Sequence, residues 1–141
     1  MKKYVVTLMV ALGLSVVLAA GCATTSKGLS DEEQVKKQMQ EAVQAIQAKN
    51  YDVFSKNVSE SFYSSAVGDR NDLLKYLKNA DEMGFLDGIE IDLSQAEIVI
   101  EGTTGTVDPV YADGVFGSLT LNFEGAKENG VWVITGLEPG Y

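Results

Sequence analysis

The stretch GIEIDLSQAEIVIEG, residues 88–102, decides the fold class, because the spacing of apolar residues changes there from a helical to a strand period. Up to residue 93 the apolar side chains occupy odd-numbered positions and alternate with acidic ones. From Ala96 onwards the alternating apolar residues Ala96, Ile98 and Ile100 occupy even-numbered positions. A slip of one residue turns the apolar face of a strand over, so the sequence predicts a turn or a bulge near Ser94–Gln95.

Three further strands are expected after this stretch, separated by short turns. They are TVDPVYADG, VFGSLTLNFEG and VWVITGLE, which begin at residues 106, 115 and 131. GTTG at 102–105 and KENG at 127–130 have the composition of hairpin turns. Pro109 lies inside the first of these strands, and because proline has no N–H to donate, it predicts an edge strand or a bulge.

The residues before 88 carry helical signals. SDEEQVKKQMQEAVQAIQAKN, residues 30–50, repeats apolar side chains at helical spacing, and Ser30 with Glu33 forms a capping-box pattern at its start. One apolar stripe and one charged face predict a helix that lies on a sheet.

Two shorter helices are expected next. Asp52 is the expected N-cap of the first, and Asp69 that of the second, in DRNDLLKYLKNADEMGF. Gly84 fits the left-handed residue that follows a helix. SFYSS, between the two, reads as a short strand or a loop. Because helices precede strands without strand–helix–strand alternation, residues 30–141 are predicted to be one α+β domain, with N-terminal helices packed on an antiparallel sheet of about four to five strands.

This order of elements resembles the nuclear transport factor 2-like superfamily, which includes SnoaL-like domains. The last strand adds a weak motif, since Gly130, Trp132 and Ile134 match the closing Gly-x-Trp-x-Ile pattern of that superfamily. The resemblance implies a strongly curved sheet that forms a cone with an apolar pocket, and a homodimer through the sheet as one mode of association. Some members are isomerases, hydrolases or cyclases, and others only bind. Cystatin-like lipoproteins, including lumazine-binding-like domains, are the nearest alternative.

The first 22 residues have the three parts of an export signal. Lys2 and Lys3 are followed by an uncharged, mostly apolar run and then by small residues. A membrane-spanning helix needs about 20 apolar residues, which is more than this run supplies. LAAGC, residues 18–22, resembles the lipobox of bacterial lipoproteins and contains the only cysteine of the chain. A plain signal peptide and an uncleaved anchor helix are the alternatives.

The lipobox implies that residues 1–21 are a lipoprotein signal peptide, that Cys22 is lipidated, and that residues 22–29 form a tether. Stable anchoring takes at least two acyl chains, and lipoprotein processing attaches two or three. We therefore expect an exported protein held at a membrane of the cell envelope through lipid on Cys22. Residue 23 is Ala and not Asp, which by resemblance to enterobacterial sorting favours the periplasmic face of the outer membrane, if the source has one.

The composition argues against several function classes. The chain has 20 acidic and 11 basic residues, and its net charge becomes −11 without residues 1–21, so nucleic-acid binding is not expected. It contains no histidine, which removes the commonest general base and metal ligand. We expect no cofactor and no metal. The strand carboxylates that come nearest to a calcium pattern are better explained as a solvated face; they are Glu90, Asp92, Glu97 and Glu101.

Two function classes remain open. In the first, the domain binds a small apolar ligand or an envelope protein, or acts as a scaffold, without catalysis. Tyr63, Phe85, Tyr111 and Trp132 are the candidate lining of its pocket, because aromatic rings with polar tips suit small-molecule sites. The same four residues suit a hydrophobic core equally well.

The second class is an isomerase-like or cyclase-like enzyme that uses a pocket Asp and Tyr. Asp108 near Tyr111, together with Tyr63 and Tyr76, supplies the right residue types, but none matches a family motif, so no catalytic residue is assigned. Arg70 is the only arginine, and the acidic residues beside it are typical of a helix start rather than of a catalytic Asp-Arg-Asp set. The missing histidine and the lone arginine favour the first class.

Overall fold

The computed structural model describes residues 28–141. The predictions about the signal peptide and Cys22 therefore concern residues outside the described part. The helices are α1 (Asp31–Gln47), α2 (Tyr51–Lys56) and α3 (Arg70–Glu82). The strands are β1 (Tyr63–Ser64), β2 (Gly68–Asp69), β3 (Glu90–Asp92), β4 (Glu97–Glu101), β5 (Thr104–Gly114), β6 (Gly117–Glu128) and β7 (Val131–Pro139).

The helices pack on one face of a five-stranded antiparallel sheet. Strands β3 and β4 both pair with β5, which pairs with β6, and β6 pairs with β7. Strands β1 and β2 form a separate small hairpin before α3. This confirms the predicted α+β class and the predicted number of strands.

Local hydrogen bonds explain where the helices begin and end. Ser30 and Glu33 form the predicted capping box at the start of α1. Asp69 caps α3 as predicted. Helix α2 differs from the prediction, because Asn50 is its N-cap and accepts a hydrogen bond from the Val53 N–H, 3.2 Å away. The earlier start moves Asp52 into the first turn, where a negative charge is also favourable.

The predicted break in the sheet edge is present. Strands β3 and β4 lie on either side of a turn at Ser94–Gln95. Pro109 lies in β5, which is a central strand, so of the two predicted explanations the bulge is confirmed and the edge position is wrong. The register of β5 against β6 shifts between Val107 and Val110, which leaves Pro109 outside the regular ladder.

The core lies between the helices and the sheet, and Trp132 of β7 is part of it. Trp132 is 2% exposed and packs among α1 residues such as Met39. Its indole ring lies against two paired glycines, Gly105 in β5 and Gly125 in β6. These positions have no side chain, so the ring can approach the backbone of both strands.

We expect Gly105→Ala to destabilise the fold by about 1–3 kcal/mol, because overpacking a filled core has that cost. The added Cβ would lie 2.8 Å from Ile100 Cδ1 and 3.1 Å from the Val99 carbonyl oxygen. Gly28→Ala is the control, since nothing lies within 4 Å of the corresponding Cβ. Urea unfolding followed by Trp132 fluorescence measures both variants, and equal stability of the two would contradict the packing described here.

Candidate functional site

The candidate site is a groove of about 700 Å³ between α1 and the sheet edge formed by β3 and β4. Its floor is apolar and includes Met39 and Val107, which are buried, and Ile98, which is half-buried. Its rim carries charged side chains, among them Lys36 on α1 and Glu97 on β4. We call it the α1–β4 groove.

The volume of the groove, and a lining in which half of the residues are apolar and half are polar or charged, suit a small amphipathic molecule. Ligand pockets commonly have volumes of about 300–1,000 Å³, with mostly apolar walls and a few polar groups that fix orientation. Met39 and Ile98 offer apolar contact, while Lys36 offers a cation at the rim. The arrangement can bind an apolar body with a polar or anionic head.

The space next to Trp132 is filled. The cavity between α1, Trp132 and the paired glycines has a volume of only about 10 Å³, the least that a single water needs. The interior is therefore closed beneath Trp132, and the larger space under α1 lies towards β4.

The structure does not bring the four predicted lining residues together. Trp132 lies in the core, whereas Tyr63 is 66% exposed in β1, and Phe85 is 45% exposed just after α3. Tyr111 is 38% exposed on the side of the sheet that faces away from the helices. The α1–β4 groove is lined by other residues, which the sequence analysis did not single out.

The Asp and Tyr residues of the enzyme alternative do not form a buried pair. Asp108 is the cross-strand partner of Glu97, at the bulge in β5. Tyr63, Tyr76 and Tyr111 all expose a large part of their side chains. Among residues 28–141, no hydrogen bond joins Asp108 to a tyrosine.

Arg70 has a structural role. Its Nε–H donates to the Val58 carbonyl oxygen at 3.2 Å, and its Nη2 donates to the Ser55 carbonyl oxygen at 2.9 Å. These carbonyls lie at the end of α2 and just beyond it, where helical partners are lacking. The guanidinium thus ties the end of α2 to the start of α3.

A polar cluster that the sequence analysis did not identify joins the start of α1 to the sheet. Asp31 Oδ1 accepts a hydrogen bond from Trp132 Nε1 at 3.0 Å and from Lys127 Nζ at 2.8 Å. Gln38 lies two turns after Asp31 in α1, and its Nε2 donates to the Trp132 carbonyl oxygen. The bonds from Lys127 and from the Trp132 indole hold the pKa of Asp31 below its usual value.

A second cluster lies where α1, α2 and α3 meet. Lys49 Nζ is 2.6 Å from Asp81 and 2.5 Å from Asp87, and these carboxylates raise the pKa of the lysine. Lys49 in turn lowers the pKa of Asp81. Burial of the Tyr51 hydroxyl, and then the nearby Asp81 carboxylate, raises the pKa of Tyr51 to about 12. The cluster closes the end of the helical layer opposite to Asp31.

The described residues contain neither a membrane-spanning helix nor a cluster of metal-ligating side chains. Between residues 28 and 141, no helix combines the length and the apolar character needed to cross a bilayer. In the same part of the chain, no group of three or more His, Cys, Asp or Glu side chains comes close enough to hold a metal ion.

Solved structures with the same arrangement identify the fold. A cystatin-like protein of unknown function from Nostoc punctiforme matches with a TM-score of 0.65 and 12% identity, over 77% of this chain and 89% of its own. A nuclear transport factor 2-like protein of unknown function from Pseudomonas putida matches with a TM-score of 0.63 and 10% identity, over 77% and 84%. The chain therefore has the nuclear transport factor 2-like, cystatin-like fold that its element order predicted.

One similar structure has a named activity. A candidate ketosteroid isomerase from Shewanella frigidimarina matches with a TM-score of 0.61 and 17% identity, over 74% of this chain and 92% of its own. At such identities the likeness shows the fold alone. No protein-family model matches the sequence, and no curated protein matches it either.

We expect Asp31→Asn to lower stability near neutral pH but not in strong acid. The folded state holds the pKa of Asp31 below its unfolded value, so the ionised carboxylate stabilises the fold above about pH 4, and this contribution disappears as the pH falls through the folded pKa. Asparagine keeps an oxygen that accepts from Trp132 and removes only the charge. Urea midpoints at pH 7 and pH 2.5 measure the effect.

Glu41→Gln is the matched control, because Glu41 is an exposed acid of the same helix, whereas the ion pair of Lys127 is formed with Asp31. It should change the midpoint much less than Asp31→Asn at pH 7. A difference between Asp31→Asn and the unsubstituted protein that stays the same at pH 7 and pH 2.5 would exclude the proposed charge effect.

Proposed function

We propose that the protein is an exported lipoprotein whose domain binds a small amphipathic molecule in the α1–β4 groove without transforming it. The observation that carries the binding proposal is the groove itself, about 700 Å³ with an apolar floor and a charged rim. The observation that carries the anchoring proposal is LAAGC at residues 18–22. The two parts are independent and are tested separately.

The chemistry of the groove favours an apolar ligand that carries an anionic or polar head. The floor consists of the apolar side chains of Met39, Val107 and Ile98, which cannot form hydrogen bonds with a strongly polar ligand. Lys36, exposed at the rim, is the cation nearest to this floor among the residues that line the groove. Glu32 and Glu97 on the same rim disfavour a ligand with negative charge along its whole length.

The side chains available support binding rather than catalysis. The chain has no histidine, and the carbonyls around the end of α2 engage its only arginine. The candidate tyrosines are exposed rather than directed into the α1–β4 groove. The fold itself serves both enzymes and binding proteins, so it does not choose between them.

The proposed location follows from the anchor. Lipid on Cys22 would hold the domain at a membrane of the cell envelope, and Ala23 favours the outer membrane if the source has one. Two or three acyl chains make such attachment stable. An envelope location suits a domain that receives an amphipathic ligand from a membrane or from the surrounding space.

We expect Lys36→Ala to weaken binding of 8-anilinonaphthalene-1-sulfonate by about fivefold, since an ion pair at contact distance is worth roughly 1 kcal/mol in water. This probe has an apolar body and one sulfonate. Lys37→Ala is a close control, because Lys37 is the next residue of α1 and does not line the groove. Fluorescence titration measures both variants, and equal weakening would contradict binding at the groove.

A second pair of variants tests the floor independently of charge. Ala96→Phe places a ring in the groove, and we expect it to abolish most of the probe fluorescence. Ala48→Phe, at an exposed position after α1, should leave the fluorescence unchanged. Circular dichroism establishes that both variants are folded, and normal probe binding by a folded Ala96→Phe variant would refute the site.

We expect Cys22→Ala to abolish incorporation of radiolabelled palmitate and to release the protein from the membrane fraction of its host. The reason is that the thiol is the only cysteine sulfur to which a lipid can be attached. Thr24→Ala, two residues further on, is the control and should remain lipidated. If Cys22→Ala stays membrane-bound, the lipoprotein proposal fails while the groove proposal stands.

A further inference from the structure

Two exposed apolar side chains lie together where the described part of the chain begins. Leu29, just before α1, is 40% exposed, and Val131, at the start of β7, is 61% exposed. Both line one hollow of about 160 Å³ between α1 and the turn that joins β6 to β7. We call this surface the tether end, and it consists of Leu29, Val131 and the α1 residues Lys37 and Glu41 that line the same hollow.

Hydrogen bonds hold the tether end in a fixed orientation relative to the sheet. Asp31 Oδ1 accepts from Lys127 Nζ at 2.8 Å and from Trp132 Nε1 at 3.0 Å. Gln34 Nε2 donates to the Leu29 carbonyl oxygen at 2.9 Å, so the residue before α1 is bonded back to the helix. A contact made by Leu29 would therefore orient the whole domain.

The position of Cys22 in the chain limits how far the tether end can lie from the proposed anchor. Six residue steps separate Cys22 from Gly28, and each spans at most about 3.6 Å, so their Cα atoms lie within about 22 Å of each other. This limit holds for any conformation of the segment. The turn between β5 and β6 is at the other end of the 12-residue strand β6 and has no such limit. Of these two ends of β6, the anchor keeps the tether end at the membrane.

The charge of the tether end suits a membrane surface better than that of the chain as a whole. The chain has 20 acidic and 11 basic residues, which disfavours contact with anionic lipid. The hollow is lined by one basic residue, Lys37, and one acidic residue, Glu41, so its own charges balance. Exposed apolar side chains with balanced charge around them suit the interface of a bilayer with zwitterionic head groups.

We propose that the tether end rests on the bilayer surface, with the side chains of Leu29 and Val131 inserted among the lipid head groups. This inference relies on the proposed lipid anchor at Cys22, because two apolar side chains alone bind a membrane weakly, whereas the anchor gives them a high effective concentration at its surface. The contact also brings the α1–β4 groove near the membrane, since Glu32 on its rim is only three residues from Leu29. Such a position suits a groove that takes an amphipathic molecule from a bilayer.

The test uses the mature lipoprotein, purified from its host and reconstituted into phosphatidylcholine vesicles. Because lipid occupies the Cys22 thiol, one added cysteine supplies the free thiol for a nitrobenzoxadiazole label. We expect the label on Val131→Cys to shift its emission to the blue and to lose most of it when the vesicles contain lipid with a nitroxide near the head group. Val115→Cys is the matched control, because Val115 is 66% exposed in the turn between β5 and β6, and its label should keep its emission.

A second pair of variants distinguishes apolar contact from mere proximity. With the label on Lys37→Cys, we expect Leu29→Ser to restore most of the quenched emission, because loss of the buried leucine side chain shifts the contact equilibrium about tenfold towards the free domain. Val53→Ser is the control, since Val53 is also 40% exposed but lies on α2, and it should leave the quenching unchanged. Circular dichroism establishes that every variant is folded.

The outcomes separate this inference from the anchor on which it relies. Protein that does not float with the vesicles would reject the anchor and the contact together. If the protein floats but the labels at 131 and 115 are quenched alike, or if Leu29→Ser leaves the quenching unchanged, the anchor stands and the contact is refuted. Quenching of the label at 115 alone would assign the contact to the turn between β5 and β6 and would also refute the proposal.

Discussion

The position of Trp132 is the constraint on which the rest of the structure depends. Its ring rests on the backbone of two paired glycines, Gly105 and Gly125, and its indole N–H donates to Asp31 at the first turn of α1. Its carbonyl oxygen accepts from Gln38 two turns later. One residue of β7 therefore fixes both the distance and the direction of α1 across the sheet, because it bonds the helix at two places and fills the space between them.

The location of the groove follows from this attachment. Where α1 is held against Trp132, the interior is closed to all but about 10 Å³. The sheet edge is broken between β3 and β4, and the α1–β4 groove of about 700 Å³ lies beside that break. The same domain is thus rigidly packed at one side of α1 and open at the other, which allows a binding site without loss of the core.

Charge is divided between the two faces of the sheet. On the helical side the ionic contacts are paired, as Lys127 with Asp31 shows. On the opposite side the register sets Glu90 against Asp113, and neither of their strands contains a basic residue. A stable fold tolerates the second arrangement because the helical face supplies the packing, and surface charges in water repel only weakly.

Much of the local structure could be predicted from the sequence, because it depends on neighbours a few residues apart. The side chains of Ser30 and Asp69 each accept a hydrogen bond from a backbone N–H three residues later, and the change of apolar phase after Leu93 predicts the turn between β3 and β4.

The candidate site could not be predicted in this way. Asp31 and Trp132 meet across about a hundred residues, and the bulge after Val107 shifts the alternation of β5, so that Val110 points inward and Tyr111 outward. The sequence by itself thus determined the helices and strands and their ends, because these depend on short-range hydrogen bonds and periodicity. Only the tertiary structure decided which side chains face the groove, the core or solvent, because that depends on strand register and long-range packing.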